Sequence, residues 1–377
     1  MGRTAESIEA WLKALPGASD LLFWPPPKAL YTVAKLYAGY NPGDPASWRK
    51  SWDARVYAWT LDKSHKPRAL DDVETAAARL HDAAMDRLVR AYIDPAHDQA
   101  TIGFMGGHDI PRTEAAYARV AHIARELRRW GFKIVTGGGP GLMEAANLGA
   151  FLAPHADEAF DATLKTLRAA PDYGSDPDPA IAEQQKCDWV HTAALARTSL
   201  VGSWNAPPLA GGDSLGIPTW YYGSEPPNLF ASASGKYFMN SLREDGLVSL
   251  ANGGLVFGKG AAGTVQEVFQ NASYNYYRGA GVDATPMVFL DIDFWNPGPA
   301  TDAAAGAPLD PKRKPVFPLV QKLAADANPS FTTDVMLSND ADDIIEFLAS
   351  QNARRINARQ AEVRLKHPNA MPSPRRP

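Results

Sequence analysis

Three glycine-rich turns are the part of this sequence best suited to holding a ligand. They occupy residues 106–107, 137–141 and 258–264, and each follows a short apolar run that predicts a β-strand. Glycine lets the backbone adopt positive φ angles and lets a ligand approach the main-chain amides closely. A helix that begins directly after such a turn adds unpaired N–H groups and the positive end of its dipole. The chemistry that these turns favour is the binding of a phosphorylated compound.

None of the three turns carries the fingerprint of a major nucleotide-binding class. Residues 137–141 are Gly-Gly-Gly-Pro-Gly, with a proline inside the spacing of the dinucleotide motif, and residues 258–264 lack the Lys-Ser/Thr ending of a P-loop. The sequence therefore argues against an NAD-dependent dehydrogenase and a P-loop ATPase. A single glycine turn commonly reflects only tight strand–helix packing. Three such turns at one sheet edge favour a ligand site.

One acidic residue, Glu267, lies where it could take part in a reaction. It follows Thr264 by three residues, so one helical turn directs its carboxylate towards the crevice beside the third glycine turn. The alternative is a glutamate that only interacts favourably with the N-terminal end of a helix dipole. The glycine loop that precedes it favours the catalytic interpretation.

Other side chains near the predicted strand ends could contact a ligand. His108 directly follows the first turn and either reaches the ligand or caps the loop. Trp220, Tyr221 and Tyr222 end an apolar run and could stack on a flat ligand group, although we expect at least two of the three to pack inside the protein.

No metal or cofactor is predicted. Asp291 and Asp293 end an apolar run, but no histidine or glutamate clusters with them, so we interpret them as loop caps. The sequence also offers no convincing motif for a pyridoxal-phosphate lysine.

The elements that must position these residues alternate between strand and helix from Ala100 onwards. A helix is predicted from Glu114 to Trp130, with Gly131 as its C-terminal stop. Strands alternating with helices predict a parallel sheet with right-handed crossovers. We expect an α/β fold, a doubly wound Rossmann-like parallel sheet with an added N-terminal helical region. Apolar runs that predict its strands include residues 101–105, 133–136, 200–201, 217–222, 255–257, 287–292 and 335–337.

Changes in pattern divide the chain into three parts. Residues 1–97 form an interrupted helical region rich in tryptophan, and residues 98–352 form the Rossmann-like nucleotide-binding catalytic domain. An irregular insertion spans about residues 171–213 of that domain. Residues 353–377 form a basic C-terminal tail, interpreted as a helical extension that ends in a solvated segment.

The composition is that of a folded protein with nearly balanced charge. The chain has 377 residues, 38 lysines and arginines against 42 aspartates and glutamates, and a net charge of −4. This balance gives no reason to expect binding to nucleic acid or to a membrane surface. No apolar run approaches the roughly 20 residues that a membrane helix needs, and the single cysteine, Cys187, fits a reducing compartment. We expect a soluble, cytoplasmic protein.

Two segments resemble motifs of the LOG family, the nucleotide 5′-monophosphate phosphoribohydrolases. Residues 138–146, GGPGLMEAA, are similar to the family's GGG-x-G-LM-x-A segment, and residues 260–267, GAAGTVQE, are similar to its PGGxGTxxE segment. The resemblance covers roughly residues 100–350, with both motifs in the family's order. Residues 106–108 and 224–228 look closest to the larger bacterial pyrimidine/purine nucleotide 5′-monophosphate nucleosidases, which also carry an added N-terminal region.

The third turn departs from the family pattern. Lys259-Gly260-Ala261 stands where the family has Pro-Gly-Gly, so the loop has one glycine fewer and no proline, while Lys259 could add positive charge beside a phosphate. The family's essential arginine lies on the helix before the strand that enters this loop. Arg243 is the nearest match, about one residue out of register.

The resemblance implies hydrolysis of the N-glycosidic bond of a nucleoside 5′-monophosphate to free base and ribose 5-phosphate, with Glu267 and Arg243 catalytic and no cofactor. It also implies a homo-oligomer, a dimer or larger. The alternative is a non-catalytic nucleotide- or cofactor-binding protein on the same fold. The candidate substrate-binding residues are Gly106, Gly107, His108, Gly138, Gly139, Gly141, Met143, Lys259, Gly260, Ala261, Ala262, Gly263 and Thr264.

Overall fold

The structure is a computed structural model that describes residues 17–93, 99–221, 226–278, 282–296, 312–327 and 329–366. Parts of three sequence predictions lie outside these residues: the start of the N-terminal helical region, Tyr222 with the neighbouring motif positions 224–225, and the end of the basic tail. Within the described part of the chain, no helix is long and apolar enough to cross a membrane.

Seven strands form one parallel sheet, which confirms the predicted α/β, Rossmann-like class. The order across the sheet is β4-β3-β2-β1-β5-β6-β7, and every neighbouring pair is parallel. The strands are β1 Thr101–Met105, β2 Lys133–Thr136, β3 Leu215–Gly216, β4 Ala233–Ser234, β5 Gly254–Phe257, β6 Met287–Phe289 and β7 Val335–Leu337.

The strand order places a topological switch between β1 and β5. The chain adds β2, β3 and β4 on one side of β1 and then returns to add β5, β6 and β7 on its other side. Open α/β sheets bind ligands in the crevice outside the carboxyl ends of the strands at such a switch. The first and third glycine turns follow β1 and β5, so the fold brings them to this crevice.

Thirteen α-helices lie within the described residues. They are α1 Val33–Leu36, α2 Trp52–Trp59, α3 Asp72–Ile93, α4 Ala115–Arg129, α5 Leu142–Phe151, α6 Asp157–Leu167, α7 Pro179–Val201, α8 Asn240–Leu250, α9 Ala262–Tyr276, α10 Ile292–Trp295, α11 Phe317–Ala327, α12 Pro329–Thr333 and α13 Ala341–Lys366.

Helix α4 shows how closely local signals set an element. Glu114 is its N-cap, Trp130 is its C-cap, and Gly131 follows with φ of +91°. Its apolar stripe is fully buried against the sheet, as the 3–4 spacing predicts. The prediction of this helix is confirmed to within one residue at each end.

Three predicted strands differ from the structure, and one observed strand was not predicted. The run at 287–292 forms a strand only as far as Phe289, and its last residue, Ile292, begins helix α10. The apolar run at 200–201 continues helix α7 instead of forming a strand. The run at 217–222 begins just after β3, and in place of a strand it has an isolated parallel bridge between Thr219 and Tyr237. β4 has only two residues, Ala233 and Ser234, and such a short segment carries no hydrophobic pattern that would reveal it.

The N-terminal region packs against the β4 side of the sheet. Tyr31 exchanges backbone hydrogen bonds with Ser234 of β4, and the Tyr37 hydroxyl donates to the Pro227 carbonyl at 2.7 Å. Its aromatic side chains belong to the same buried cluster as the sheet. At the other end of the chain, α13 crosses the predicted start of the basic tail at residue 353 and continues to Lys366. In this part of the helix, Arg354 Nη2 lies 2.9 Å from Asp334 Oδ1.

Candidate active site

The three glycine turns meet at the carboxyl edge of β1, β2 and β5. The Gly107 amide donates to the Lys259 carbonyl at 2.7 Å, which joins the first turn to the third. The Leu142 amide donates to the Gly107 carbonyl at 3.2 Å, which joins the first turn to the second. β1 lies between β2 and β5 in the sheet. The backbone hydrogen bonds between these strands therefore continue between the loops that follow them. The expected gathering of the turns at one sheet edge is confirmed.

Protein atoms fill the space beside several of these glycines. Gly141 has φ of +66°, and a Cβ atom placed on it would lie 2.2 Å from the Gly107 carbonyl oxygen. A Cβ atom on Gly138, at φ of +74°, would lie 2.7 Å from Pro218 Cδ, and one on Gly106 would lie 2.7 Å from Leu142 Cδ1. At these positions glycine allows close packing of the chain on itself.

The third turn, in contrast, presents an open helix N-terminus. Helix α9 begins at Ala262, and its N-cap residue, Ala261, makes no side-chain capping hydrogen bond. Ala261, Ala262 and Gly263 are exposed, and a Cβ atom on Gly263 would meet nothing within 4 Å. The buried Thr264 turns its hydroxyl over Gly260. The free amides and the dipole of a 15-residue helix therefore face an accessible space.

The predicted catalytic residues, Arg243 and Glu267, face each other. Arg243 lies on α8 and Glu267 on α9, and Arg243 Nη1 is 3.5 Å from Glu267 Oε1. Both side chains are about nine-tenths buried. The fold thus brings together two residues that lie on different helices.

The arginine is held in place from two sides. Its Nε donates to the Ile217 carbonyl at 3.0 Å. A Cβ atom on Gly137 would lie 2.7 Å from Arg243 Nη2 and 2.6 Å from Met143 Sδ. The absence of a side chain at Gly137 therefore gives the guanidinium and the thioether of Met143 room beside the second turn.

The surroundings of Glu267 bring the pKa of its carboxyl close to neutral pH. Burial raises the pKa of Glu267 to about 7 from its ordinary 4.5; Arg243 opposes this effect, and the nearby carboxylate of Glu244 adds to it. At neutral pH the Glu267 carboxyl is present in both protonated and ionised forms. Such a group can accept or release a proton, which is the property that general acid–base chemistry needs.

Glu244 is a member of this site that the sequence analysis did not identify. It is buried, its Oε1 lies 4.0 Å from Arg243 Nη1, and its Oε2 accepts a hydrogen bond from Gln266 Nε2 at 2.7 Å. Its position directly after Arg243 in the sequence was the available signal. The spacing alone did not show that α9 would cover it.

Lys259 is engaged with acidic side chains. Its Nζ lies 2.9 Å from Glu114 Oε1, and its charge also opposes the effect of burial on the pKa of Asp291. Asp291 in turn lies 3.4 Å from Arg119. The lysine predicted to face a phosphate is therefore partly neutralised by Glu114.

Asp293 lies within α10, and Asp291 is the N-cap residue of that helix, but the Asp291 side chain makes no capping hydrogen bond. The loop-cap prediction is therefore right for the position of Asp291 and wrong for its side chain and for Asp293. The φ of Asp291, at +79°, lies in the left-handed region, and its carbonyl accepts the amides of Phe294 and Trp295 at the start of α10. Within the described residues, no three histidine, cysteine, aspartate or glutamate side chains are grouped to hold a metal ion.

His108 and the three aromatic residues occupy different environments. His108 is exposed and lines a cavity of about 180 Å³ beside Gly141. Trp220 is fully buried and donates from Nε1 to Asp53 at 2.9 Å, so it is a core residue. Tyr221 is 63% exposed. Trp220 therefore packs inside and Tyr221 does not, and the expectation that at least two of the three rings pack inside stays a prediction, because Tyr222 lies outside the described residues.

Two buried polar groups fix the second turn. Asn228 donates from its amide to the Gly138 carbonyl at 2.8 Å and from its side chain to the Gly139 carbonyl at 3.1 Å. Asn147, on α5, accepts from both Asn228 and Thr136. These contacts satisfy carbonyls that a loop buried in the protein would otherwise leave unpaired.

Comparison with known proteins gives no family assignment. No protein-family model matches this chain, and no curated protein matches it. The function must therefore be argued from the site and from the two sequence motifs.

Proposed function

We propose that this protein hydrolyses the N-glycosidic bond of a nucleoside 5′-monophosphate and releases the free base and ribose 5-phosphate. The observation that carries the proposal is the buried pair of Arg243 and Glu267, 3.5 Å apart, on the two helices that flank the open third turn. The proposal puts a phosphate site and an acid–base group together at the topological switch of the sheet, where open α/β sheets bind ligands.

The phosphate is assigned to the N-terminus of α9. The amides of residues 260–264 and the positive end of the helix dipole supply donors and charge, and the N-cap residue Ala261 makes no side-chain capping hydrogen bond that would compete for them. Fixing the phosphate there orients the ribose for attack at C1′.

The carboxylate of Glu267 has three uses in such a reaction. It accepts hydrogen bonds from the ribose hydroxyls, offsets positive charge at the oxocarbenium-like transition state, and takes a proton from the attacking water. The water oxygen forms a bond to C1′ as the C1′–N bond breaks, and the departing base keeps the bonding electrons. The base takes up a proton from solvent, and Glu267 returns the proton of the attacking water to solvent, so the reaction consumes one water molecule. Arg243 remains charged, so it acts as a fixed donor beside the phosphate or the base.

The motif resemblance supports the same reaction. The segments around Gly141 and Thr264 are those that are similar to the LOG family, and they lie side by side at the sheet edge. The mutual orientation of Arg243 and Glu267 favours a hydrolase over a binding protein, since a binder has no need of a buried pair of this kind. The neutralisation of Lys259 by Glu114 favours the alternative, a nucleotide-binding protein without catalysis.

The test is a base-release assay with AMP, GMP, CMP, UMP and IMP. We expect release from at least one nucleotide and a loss of about 100-fold or more in Glu267→Gln, because the substitution removes the proton acceptor but keeps its shape. Glu126→Gln is the matched control, since Glu126 forms a surface pair with Arg129 on α4. No release from any nucleotide, with a monophosphate still raising the melting temperature, would leave a nucleotide-binding protein.

A further inference from the structure

A fully buried carboxylate from the N-terminal region holds the start of α8. Asp82 lies on α3 and has no exposed surface. Its Oδ2 accepts the Met239 amide at 2.9 Å, and its Oδ1 accepts the Phe238 amide at 3.0 Å. Met239 is the N-cap residue of α8, and its own side chain makes no capping hydrogen bond. A charge from 157 residues away thus fixes this helix end.

Two further side chains of the N-terminal region hold the carboxylate. His81 Nδ1 lies 3.0 Å from Asp82 Oδ1, and the Tyr31 hydroxyl lies 2.7 Å from His81 Nε2. Burial, and next the charge of Asp82, raise the pKa of Tyr31, so its hydroxyl keeps its proton and donates. The tautomer of His81 that carries its proton on Nδ1 then satisfies both contacts.

Aromatic rings close this network off from water. The ring of His81 packs edge-on against Phe23, Phe238 and Trp220. Hydrogen bonds to an ionised group are strong where water is excluded, and a buried network fixes the geometry of the groups it joins.

The helix end that Asp82 holds is one turn from the candidate catalytic arginine. The Arg243 amide pairs with the Met239 carbonyl at 3.4 Å, so these two residues share the first turn of α8. The Arg243 side chain is fixed separately, by the Ile217 carbonyl. A shift of Met239 would therefore move the backbone that carries Arg243 relative to the second turn and to Glu267.

We propose that Asp82, supported by His81 and Tyr31, is a positioning residue that sets the distance between Arg243 and Glu267 through the N-terminus of α8. The catalytic consequence rests on the proposed function, but the positioning itself does not. The N-terminal region is then part of the working site, although none of its three residues touches the ligand.

The direction in which the pKa of Glu267 changes when Asp82 is replaced distinguishes a positioning role from a direct charge effect. Arg243 and Glu244, both on α8, are the charged groups in the described part of the chain that act on the Glu267 carboxyl. A shift of α8 moves both groups away from Glu267, and because the lowering by Arg243 is larger than the raising by Glu244, the pKa of Glu267 rises. Removal of the negative charge of Asp82 without movement could only lower it.

The experiment follows the Glu267 carboxyl by carbon-13 NMR during a pH titration, with the signal assigned by its loss in Glu267→Gln. We expect the midpoint to rise in Asp82→Asn, and to rise by less in Tyr31→Phe, which removes one hydroxyl and no charge. Asp86→Asn is the matched control, because Asp86 lies on the same helix in a surface pair with Arg90. It should leave the midpoint unchanged.

An unchanged or lowered midpoint in both variants, with only the melting temperature reduced, would overturn the proposal. If Asp82→Asn does not fold, Tyr31→Phe decides. Where base release is measurable, we expect kcat to fall about tenfold or more with little change in KM, since the phosphate site is intact. If the wild type releases no base, the proposed function fails, but the titration still tests the positioning.

Discussion

Arg243 and Glu267 show how two residues with ordinary chemistry acquire unusual properties from their surroundings. Each would be fully charged on the surface, but together they lie in a site that water hardly reaches. Burial disfavours the carboxylate, and the guanidinium only partly compensates, so the carboxyl titrates near neutrality. The balance is sensitive to every other charge in the pocket, above all to Glu244.

Substitution of Glu244 by glutamine should therefore shift the pH dependence of the reaction. Loss of its negative charge lowers the pKa of Glu267 from about 7. Because the carboxylate is the active form in the proposed reaction, the ascending limb of kcat/KM against pH should move to lower pH. The measurement is a pH profile of base release, or the NMR titration of Glu267.

Asp245→Asn provides the comparison for this prediction. Asp245 is the next residue on α8, but it is exposed and bonds to Tyr274 and Gln270 at the surface. Solvent screens its charge from the pocket. Equal shifts in the two variants would show that the effect of Glu244 is not local.

At the scale of elements, the glycine turns divide into two kinds. The turns after β1 and β2 pack against each other, whereas the turn after β5 leaves its helix end open. Both interpretations of the glycine turns, tight packing and ligand binding, therefore apply, but to different glycines. Substitution by alanine can distinguish them.

Gly141→Ala should destabilise the fold. The new Cβ atom would meet the Gly107 carbonyl oxygen at 2.2 Å, and the backbone has φ of +66°. Strain of this kind costs about 1–3 kcal/mol before any clash is counted. We expect a loss of at least about 2 kcal/mol in the free energy of unfolding, measured by urea denaturation.

Gly263→Ala should keep the stability of the fold and weaken phosphate binding. Its Cβ atom meets nothing within 4 Å, and alanine favours a helix over glycine by about 1 kcal/mol, so stability should hold or rise. The same methyl group would enter the space assigned to the phosphate. We expect the rise in melting temperature caused by AMP or ribose 5-phosphate to shrink. An undiminished rise would place the phosphate elsewhere.

The sequence predicts elements better than it predicts their contacts, for a physical reason. Hydrophobic spacing and caps are local, so α4 and the sheet class could be predicted. Glu267 could be proposed because its loop precedes it directly. The roles of Glu244 and Asp82 depend on how helices pack, and no spacing in the sequence records that Asp82 will meet Met239.

At the scale of the whole molecule, one buried ion pair joins three parts of the chain. Arg112, after β1, makes two hydrogen bonds to Glu144 of α5, at 2.8 and 2.5 Å. It also donates to the carbonyls of Ala170 and Trp189, which belong to the segment after α6 and to α7. Through Arg112, the predicted insertion at about residues 171–213 is held against α5, the helix that follows the second glycine turn.

Arg112→Met should remove this tie. Glu144 would keep its buried charge and lose its cation, and breaking a buried pair in this way typically costs about 3–5 kcal/mol. Arg90→Met, at a surface pair with Asp86 on α3, should cost less than about 1 kcal/mol. Chemical denaturation of both variants measures the difference, and equal losses would contradict the assignment.

The contact between Asp82 and Met239 also has a consequence for how the molecule assembles. The ribosome releases α3 long before α8 has been synthesised. The Asp82 carboxylate can therefore bind the Met239 amide only after the chain has closed a loop of 157 residues. Contacts this distant in the chain form late, after local helices and neighbouring strands. The pairing of β1 with β5 joins residues that are about as distant, since Ile102 pairs with Gly254. We therefore expect α3 and α8 to form before either contact, so that Arg243 reaches its final place late in folding.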